Sequence, residues 1–258
     1  VKRFYQSVAL APFSRHSRES GNPASSFAVG GKLDSRFRGN DRGDGFEIRL
    51  DDRPIKTPAR NALVLPTNAL AQAVAAEWEE QGDKVDPRSM PLTGLANAAI
   101  DRVAPDPACF AQDLARYGES DLLCYRAEEP PELVARQADA WDPLLAWARG
   151  RYDIAFEIVT GIMHRPQPPA TVARLAEAMA GRDPFTLAAF SPLVTISGSL
   201  LIVLALAEGA IAPDAAFDAA HLDELYQAER WGEDTLATEA RDARRRDFKA
   251  AARFLTLL

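Results

Sequence analysis

Eight carboxylates crowd one stretch of this chain. Asp214, Asp218, Asp223, Glu224, Glu229, Glu233, Asp234 and Glu239 stand against the single Arg230, so residues 213–240 carry a net charge of −7. Paired carboxylates can act as general acid and base, or hold a divalent cation. Either use needs further ligands or sugar-binding aromatics at readable spacing, and the three histidines, His16, His164 and His221, are scattered. Recognition of a partner through hydrogen bonds needs only exposed carboxylates beside an aromatic anchor. Trp231-Gly232-Glu233-Asp234 supplies both at a helix break. Glu233 and Asp234, with Trp231 and Glu229 beside them, are therefore read as partner-binding residues; no catalytic residue, metal ligand or cofactor is assigned. A blander account covers much of the same charge. Residues 241–258 sum to +4, and acid near the start of a helix with base toward its end suits the helix dipole.

Other chemistry finds little support. Gly30-Gly31-Lys32-Leu33 lacks the spacing and the following Ser or Thr of a phosphate-binding loop, and there is no nucleophile elbow. Cys109 and Cys124 form no metal or redox motif and are read as small buried residues of a reducing compartment. His164 and His221 are read as loop and helix-surface residues. The overall charge of −7 argues against general binding to phosphate backbones. With 47% hydrophobic residues in 258, the chain can bury a substantial core. What is present shows no charged start followed by an apolar signal core. Phe185 to Ala207 is uncharged, but Pro192 interrupts it and only Leu200 to Ala207 is strongly apolar. It is expected to be a central buried helix, with no membrane insertion.

The elements that must position these residues follow from periodicity. Phe46, Ile48 and Leu50 alternate with Glu47 and Arg49, the period of a half-buried strand. Asp51-Asp52 marks a tight turn, Pro54 and Pro58 bracket an edge strand at Ile55-Lys56-Thr57, and Asn61 to Pro66 adds a short strand. Thr67 is a predicted N-cap for a helix in which Leu70, Val74 and Trp78 face inward and Glu77, Glu79 and Glu80 take the other side. Leu92 to Val103 is the second helix, and Asp106-Pro107 opens a third that ends near Tyr117-Gly118. Glu128-Glu129-Pro130-Pro131 is the clearest linker. Beyond it Val134, Gln137, Trp141, Leu144, Leu145 and Ala148 form one helical stripe, and Val172, Leu175 and Met179 another. Ile154 to Val159 alternates like an isolated strand. Pro213 starts a helix carrying Phe217, His221 and Leu225, and the last helix uses Ala240, Ala243, Asp247, Ala251, Phe254 and Leu258. The expected fold class is α+β: a small sheet-and-helix domain over residues 1–130, then an all-α domain over 131–258. Trp78 and Trp141, on apolar stripes, are read as structural.

Ser14 to Asp44 differs in character. It is rich in Ser, Gly, Arg and Asn, carries +2 and leaves −9 to the rest of the chain. Ser17-Arg18-Glu19-Ser20-Gly21-Asn22 echoes in Ser35-Arg36-Phe37-Arg38-Gly39-Asn40, like the translated repeat elements some bacterial genomes place inside reading frames. The competing readings are a neutral, disordered insertion and a basic arm for nucleic acid. With so small a net charge and only Phe27 and Phe37 to stack on bases, the neutral loop is preferred. Deleting Pro12 to Gly43 is expected to leave folding intact.

The order of residues resembles the family of assembly chaperones for the F-type ATP synthase head that shield its unassembled alpha subunit. The likeness runs through Lys2-Arg3-Phe4-Tyr5, the block from Gly45 to Gln81, Met90-Pro91-Leu92-Thr93 and Leu95-Ala96-Asn97. It continues at Tyr117-Gly118-Glu119, Asp121 to Ala127, Gln137 and Ala140 to Leu144, and at Leu222-Asp223-Glu224, Gln227, Glu229 and Trp231 to Asp234. It implies a non-enzymatic chaperone whose partner is the free alpha subunit, acting as a soluble monomer in the bacterial cytoplasm or, in a eukaryote, the mitochondrial matrix. The alternatives are an enzyme built on Glu233 and Asp234, and a nucleic-acid binder using the basic insertion.

Overall fold

The computed structural model describes residues 2–13 and 45–258. Strands β1 (Val8–Phe13) and β2 (Gly45–Leu50) pair antiparallel from Val8 opposite Leu50 to Phe13 opposite Gly45. Residues 14–44, expected to be a disordered loop, lie outside the described residues. Pro12 faces Phe46 within this ladder, so a deletion that spares the hairpin starts at Ser14 rather than Pro12. A Cβ on Gly45 would stand 2.6 Å from Val64 Cγ1 and 2.9 Å from the Leu65 carbonyl oxygen, so only glycine fits there. Asp51 and Asp52 turn the chain with φ of 47° and 65°. Positive φ at both central residues matches the twist of a two-residue hairpin, here leading into β3 (Arg53–Pro54). The expected strand at 55–57 shrinks to one bridge between Lys56 and Ala62. β4 (Val64–Leu65) pairs with β2.

Thr67 caps α1 (Asn68–Glu79), its hydroxyl accepting the Leu70 amide at 3.1 Å. Leu70 and Val74 pack with Ile48, Leu63 and Leu65 in the smaller of two cores. Glu77 corrects the expected face. A helix places position 77 one turn beyond 70 and 74 on the same side, and its buried carboxylate accepts the Leu92 and Thr93 amides and the Thr93 hydroxyl, each at 2.7 Å. Burial raises its pKa against those bonds. Glu77 thus holds the start of α2 (Pro91–Ala98), which runs into a π-type turn at Ala99–Val103. Asp106 caps α3 (Pro107–Ala115) through the Cys109 amide. Cys124 is buried but Cys109 is exposed, because the first turn of α3 faces outward.

The larger core takes Ala99, Val103, Leu114, Leu123 and Cys124 from before Glu128–Pro131 and packs them with Trp141, Phe190, Phe217 and Phe248 from after it. β5 (Tyr125–Arg126) and β6 (Val159–Thr160) form a short parallel pair. Only Val159 of the expected strand at 154–159 enters it; Ile154 is buried in the helical core instead. α4 (Pro131–Tyr152) buries Gln137, Trp141, Leu144, Leu145 and Ala148, and α5 (Pro169–Met179) buries Leu175 and Met179. The expected single central helix is two, α6 (Pro184–Ser197) and α7 (Leu200–Ala207). They break at Gly198, and Ser199 starts α7 by accepting the Ile202 amide. Fully buried Asp121 clamps this junction, accepting from the Ser199 hydroxyl at 2.7 Å and the Leu201 amide at 3.0 Å, while burial pushes its pKa up to about 6. Among the described residues no helix is long and apolar enough to cross a membrane.

α8 (Pro213–Ala220) and α9 (Leu222–Trp231) replace the single helix expected after Pro213. His221 marks the break and is buried rather than on the surface, stacked 3.9 Å from Phe217, with desolvation lowering its pKa. α10 (Thr235–Thr256) buries Arg241, Phe248, Ala251, Ala252 and Phe254. Ala240 and Asp247, expected on that stripe, are exposed, because the apolar face is centred on Phe248. The chain is α+β in its first part and helical in its second.

Candidate partner-binding site

The corner between α9 and α10 gathers the carboxylates singled out above. Tyr226 is the buried residue of α9, and Trp231, five positions on, points well away from it at 100° per residue. Gly232 then takes φ 92°, ψ 159°, a region closed to side chains, and ends the helix. Asp234 opens α10, its Oδ1 accepting the Ala237 amide at 2.8 Å. The reversal leaves Trp231 76% exposed and Leu236 75% exposed. Large apolar side chains so displayed on either side of a turn are anchors without a pocket.

Most of the acidic tract is neutralised in space. Asp218 pairs with Arg245 at 2.6 Å, Asp214 with Lys249 at 3.0 Å, Glu224 with Arg244 at 2.7 Å, and Glu229 with Arg136 of α4 at 2.6 Å. Asp223 accepts from Gln137 at 2.8 Å. Arg241 is the buried member, lying 3.6 Å from Glu224 and 3.6 Å from Glu233, too far for a hydrogen bond to either. Glu233, with its side chain 66% exposed, keeps only that long contact, and exposed Glu239 on α10 has no ion pair among the described residues. Asp234 spends one oxygen on its cap, and Glu229 is tied to α4. The structure brings Trp231, Glu233 and Asp234 together, and sets Glu229 one turn back on α9 facing Arg136.

Sequence reasoning missed Leu236, which reads as an ordinary first-turn apolar residue. It also missed the loop after β6, where Ile162 and Met163 are 94% and 76% exposed. Apolar residues carry no sign in the sequence of whether they will be covered. Arg241 was read only as part of a basic run. Trp141 is buried, its indole donating to the Ala219 carbonyl at 2.8 Å. Trp78 is half-buried against Tyr5 at 5.7 Å. His164 is exposed, with Nδ1 3.0 Å from the Tyr125 hydroxyl. Among the described residues no group of His, Cys, Asp and Glu is placed to hold a metal ion.

A small sheet is backed by a helical body, and Trp231 and Leu236 stand exposed beside the loosely held Glu233 at the α9–α10 corner. Residues 2–149 match the family model described as ATP12 chaperone protein, over more than half of the chain, so the class is that of a chaperone. The chain belongs to the ATP12 chaperone family. Its fold is similar to the crystal structure of Atp12 from Paracoccus denitrificans, at a TM-score of 0.83 and 37% identity, covering 99% of this chain and 97% of that one. It is also similar to the Atu1473 protein of Agrobacterium tumefaciens, at 0.79 and 44% identity over 82% and 80% of the two chains. Protein atp12, mitochondrial, of Schizosaccharomyces pombe is 25% identical over 197 residues, 72% of this chain and 68% of that protein.

Proposed function

We propose that this chaperone binds the free alpha subunit of the F-type ATP synthase and keeps it from aggregating until the ATP synthase head assembles. The observation that carries the reading is the pairing of exposed Trp231 and Leu236 around Glu233. An unassembled subunit shows apolar interface that aggregates, and a binder that covers it stabilises the soluble form by mass action. Trp231 and Leu236 supply area, Glu233 and Asp234 supply acceptors for client donors, and Glu229 through Arg136 braces α9 against α4. Chemistry on the client is not part of this role. Of the two acids on which an enzyme would be built, Asp234 spends one oxygen on the cap of α10 and Glu233 keeps a 3.6 Å contact to the buried Arg241. The chain acts as a monomer in the bacterial cytoplasm, or in the mitochondrial matrix should it come from a eukaryote.

Co-purification tests the reading. Tagged chain expressed with the alpha subunit is expected to retain it, with Glu233→Lys lowering the retained amount about tenfold and Trp231→Ala more, since buried aromatic anchors are worth about 2 kcal/mol or more. Both variants should melt with the wild type. Full retention by both would remove this corner from the interface.

A further inference from the structure

A second surface lies at the sheet corner, on residues the client-binding corner does not use. An open groove of about 550 Å³ runs between the amino-terminal segment and the turn after β2, lined by Phe4, Tyr5, Leu50, Pro54, Ile55 and Trp78, with Asp51, Arg53 and Lys56 along its rim. Its walls are built. The Tyr5 hydroxyl donates to the Trp78 carbonyl at 2.6 Å, and the Arg3 guanidinium lies 4.6 Å from the Tyr5 ring centroid while donating to the carbonyls of Tyr5 and Gln81. Phe4 stands at the lip, 69% exposed. The Trp78 indole N–H is buried with no partner among the described residues.

The charge at the rim selects the occupant. Arg53 and Lys56 are exposed, and neither has an ion pair among the described residues, whereas Arg136, Arg244, Arg245 and Lys249 all pair with carboxylates. Asp51 feels Arg53 through space but forms no ion pair with either cation among the described residues. Its oxygens accept the Gln6 and Ser7 amides and the Ser7 hydroxyl at 2.9 to 3.2 Å. A small-molecule site encloses most of its ligand; a groove only partly enclosed, with an exposed aromatic at its lip, fits a chain segment. We infer that this groove binds an extended acidic peptide segment, an aromatic or aliphatic side chain seated between Phe4 and Trp78 and flanking carboxylates on Arg53 and Lys56.

The test uses the full chain and a short fluorescein-labelled peptide of alternating aspartate and phenylalanine, with a lysine-for-aspartate counterpart, read by fluorescence anisotropy. The expected result is saturable binding of the acidic peptide, weakened by salt, and at least about tenfold weaker for the lysine peptide. The double variant Arg53→Glu with Lys56→Glu should weaken it by about tenfold or more, and Phe4→Ala by a smaller factor. All three side chains are exposed, so a melting curve matching the wild type confirms that the variants fold. Glu233→Lys should bind the peptide as the wild type does, which separates this surface from the corner at Trp231. Equal binding of the two peptides, unchanged binding by the double variant, or no saturable binding would each overturn the inference.

Discussion

At the sheet corner, Asp51–Asp52, and at the helix corner, Gly232–Asp234, the chain reverses within two or three residues. Each spends an aspartate on backbone amides: Asp51 on Gln6 and Ser7, Asp234 on Ala237. Each leaves an aromatic exposed beside the turn, Phe4 in one and Trp231 in the other. They differ in which charge is left over. Among the described residues Arg53, Lys56 and Asp52 have no ion pair at the sheet corner, a positive remainder, while at the helix corner most acids are paired, Glu233 keeps a long contact to Arg241 and Glu239 has no ion pair. Density of like charge in a sequence is thus a poor guide to free charge. The eight acids of residues 213–240 are mostly matched by α10 and α4, and two cations in a weakly charged stretch stay available.

Changes beneath each corner separate scaffold from display. The largest effect is expected for Trp141→Ala, which removes a buried ring and its bond to Ala219 below the helix corner. It should cost about 3–5 kcal/mol in chemical denaturation, where Trp231→Ala costs almost nothing. Glu77→Ala, next to Trp78 of the sheet corner, strips the acceptor from three donors, and about 2–3 kcal/mol is expected by the same measurement. Acidity should act in opposite directions at two aspartates. The folded Asp121 carboxyl, at about 6, binds its proton more tightly than in the unfolded chain. It therefore favours the fold below the ordinary carboxylate range and loses that contribution as pH rises to about 6. Melting curves over this range should flatten in Asp121→Asn. Hydrogen bonds from Ser7 and Gln6 hold Asp51 below its ordinary value, so its contribution is present above that value and disappears as pH falls through the folded one. Asp51→Ala should lower the melting temperature at neutral pH and progressively less in acid. The smallest change is Asp234→Ala, the loss of one N-cap, at about 1 kcal/mol.

What could be read from the residues was local. Thr67 and Asp106 announce their helices because an N-cap uses atoms within three residues, and both make those bonds. Asp51-Asp52 reads as a turn for the same reason, and the Trp141 stripe repeats often enough to fix a face. What could not be read depends on distant partners. Glu77 is buried because α2 needs its carboxylate, and Arg241 because Glu224 and Glu233 come to it across the α9–α10 corner. The breaks at Gly198 and His221 divide stretches whose apolar pattern is continuous, so periodicity passes over them. Trp231 and Glu233 were legible as a pair beside a helix break; the exposure of Leu236 was not, since a leucine reads alike in a core and on a surface.

The Phe13–Gly45 pair has a consequence for how this chain can vary. Because a Cβ at position 45 would collide with Val64 and Leu65, β2 re-enters the sheet in one phase only. A slip of one residue would put Phe46 where nothing larger than hydrogen fits and turn Ile48 out of the core. The joint between β1 and β2 is therefore strict about alignment. Any variation in the chain that joins the two strands is expected to keep the glycine that resets the register.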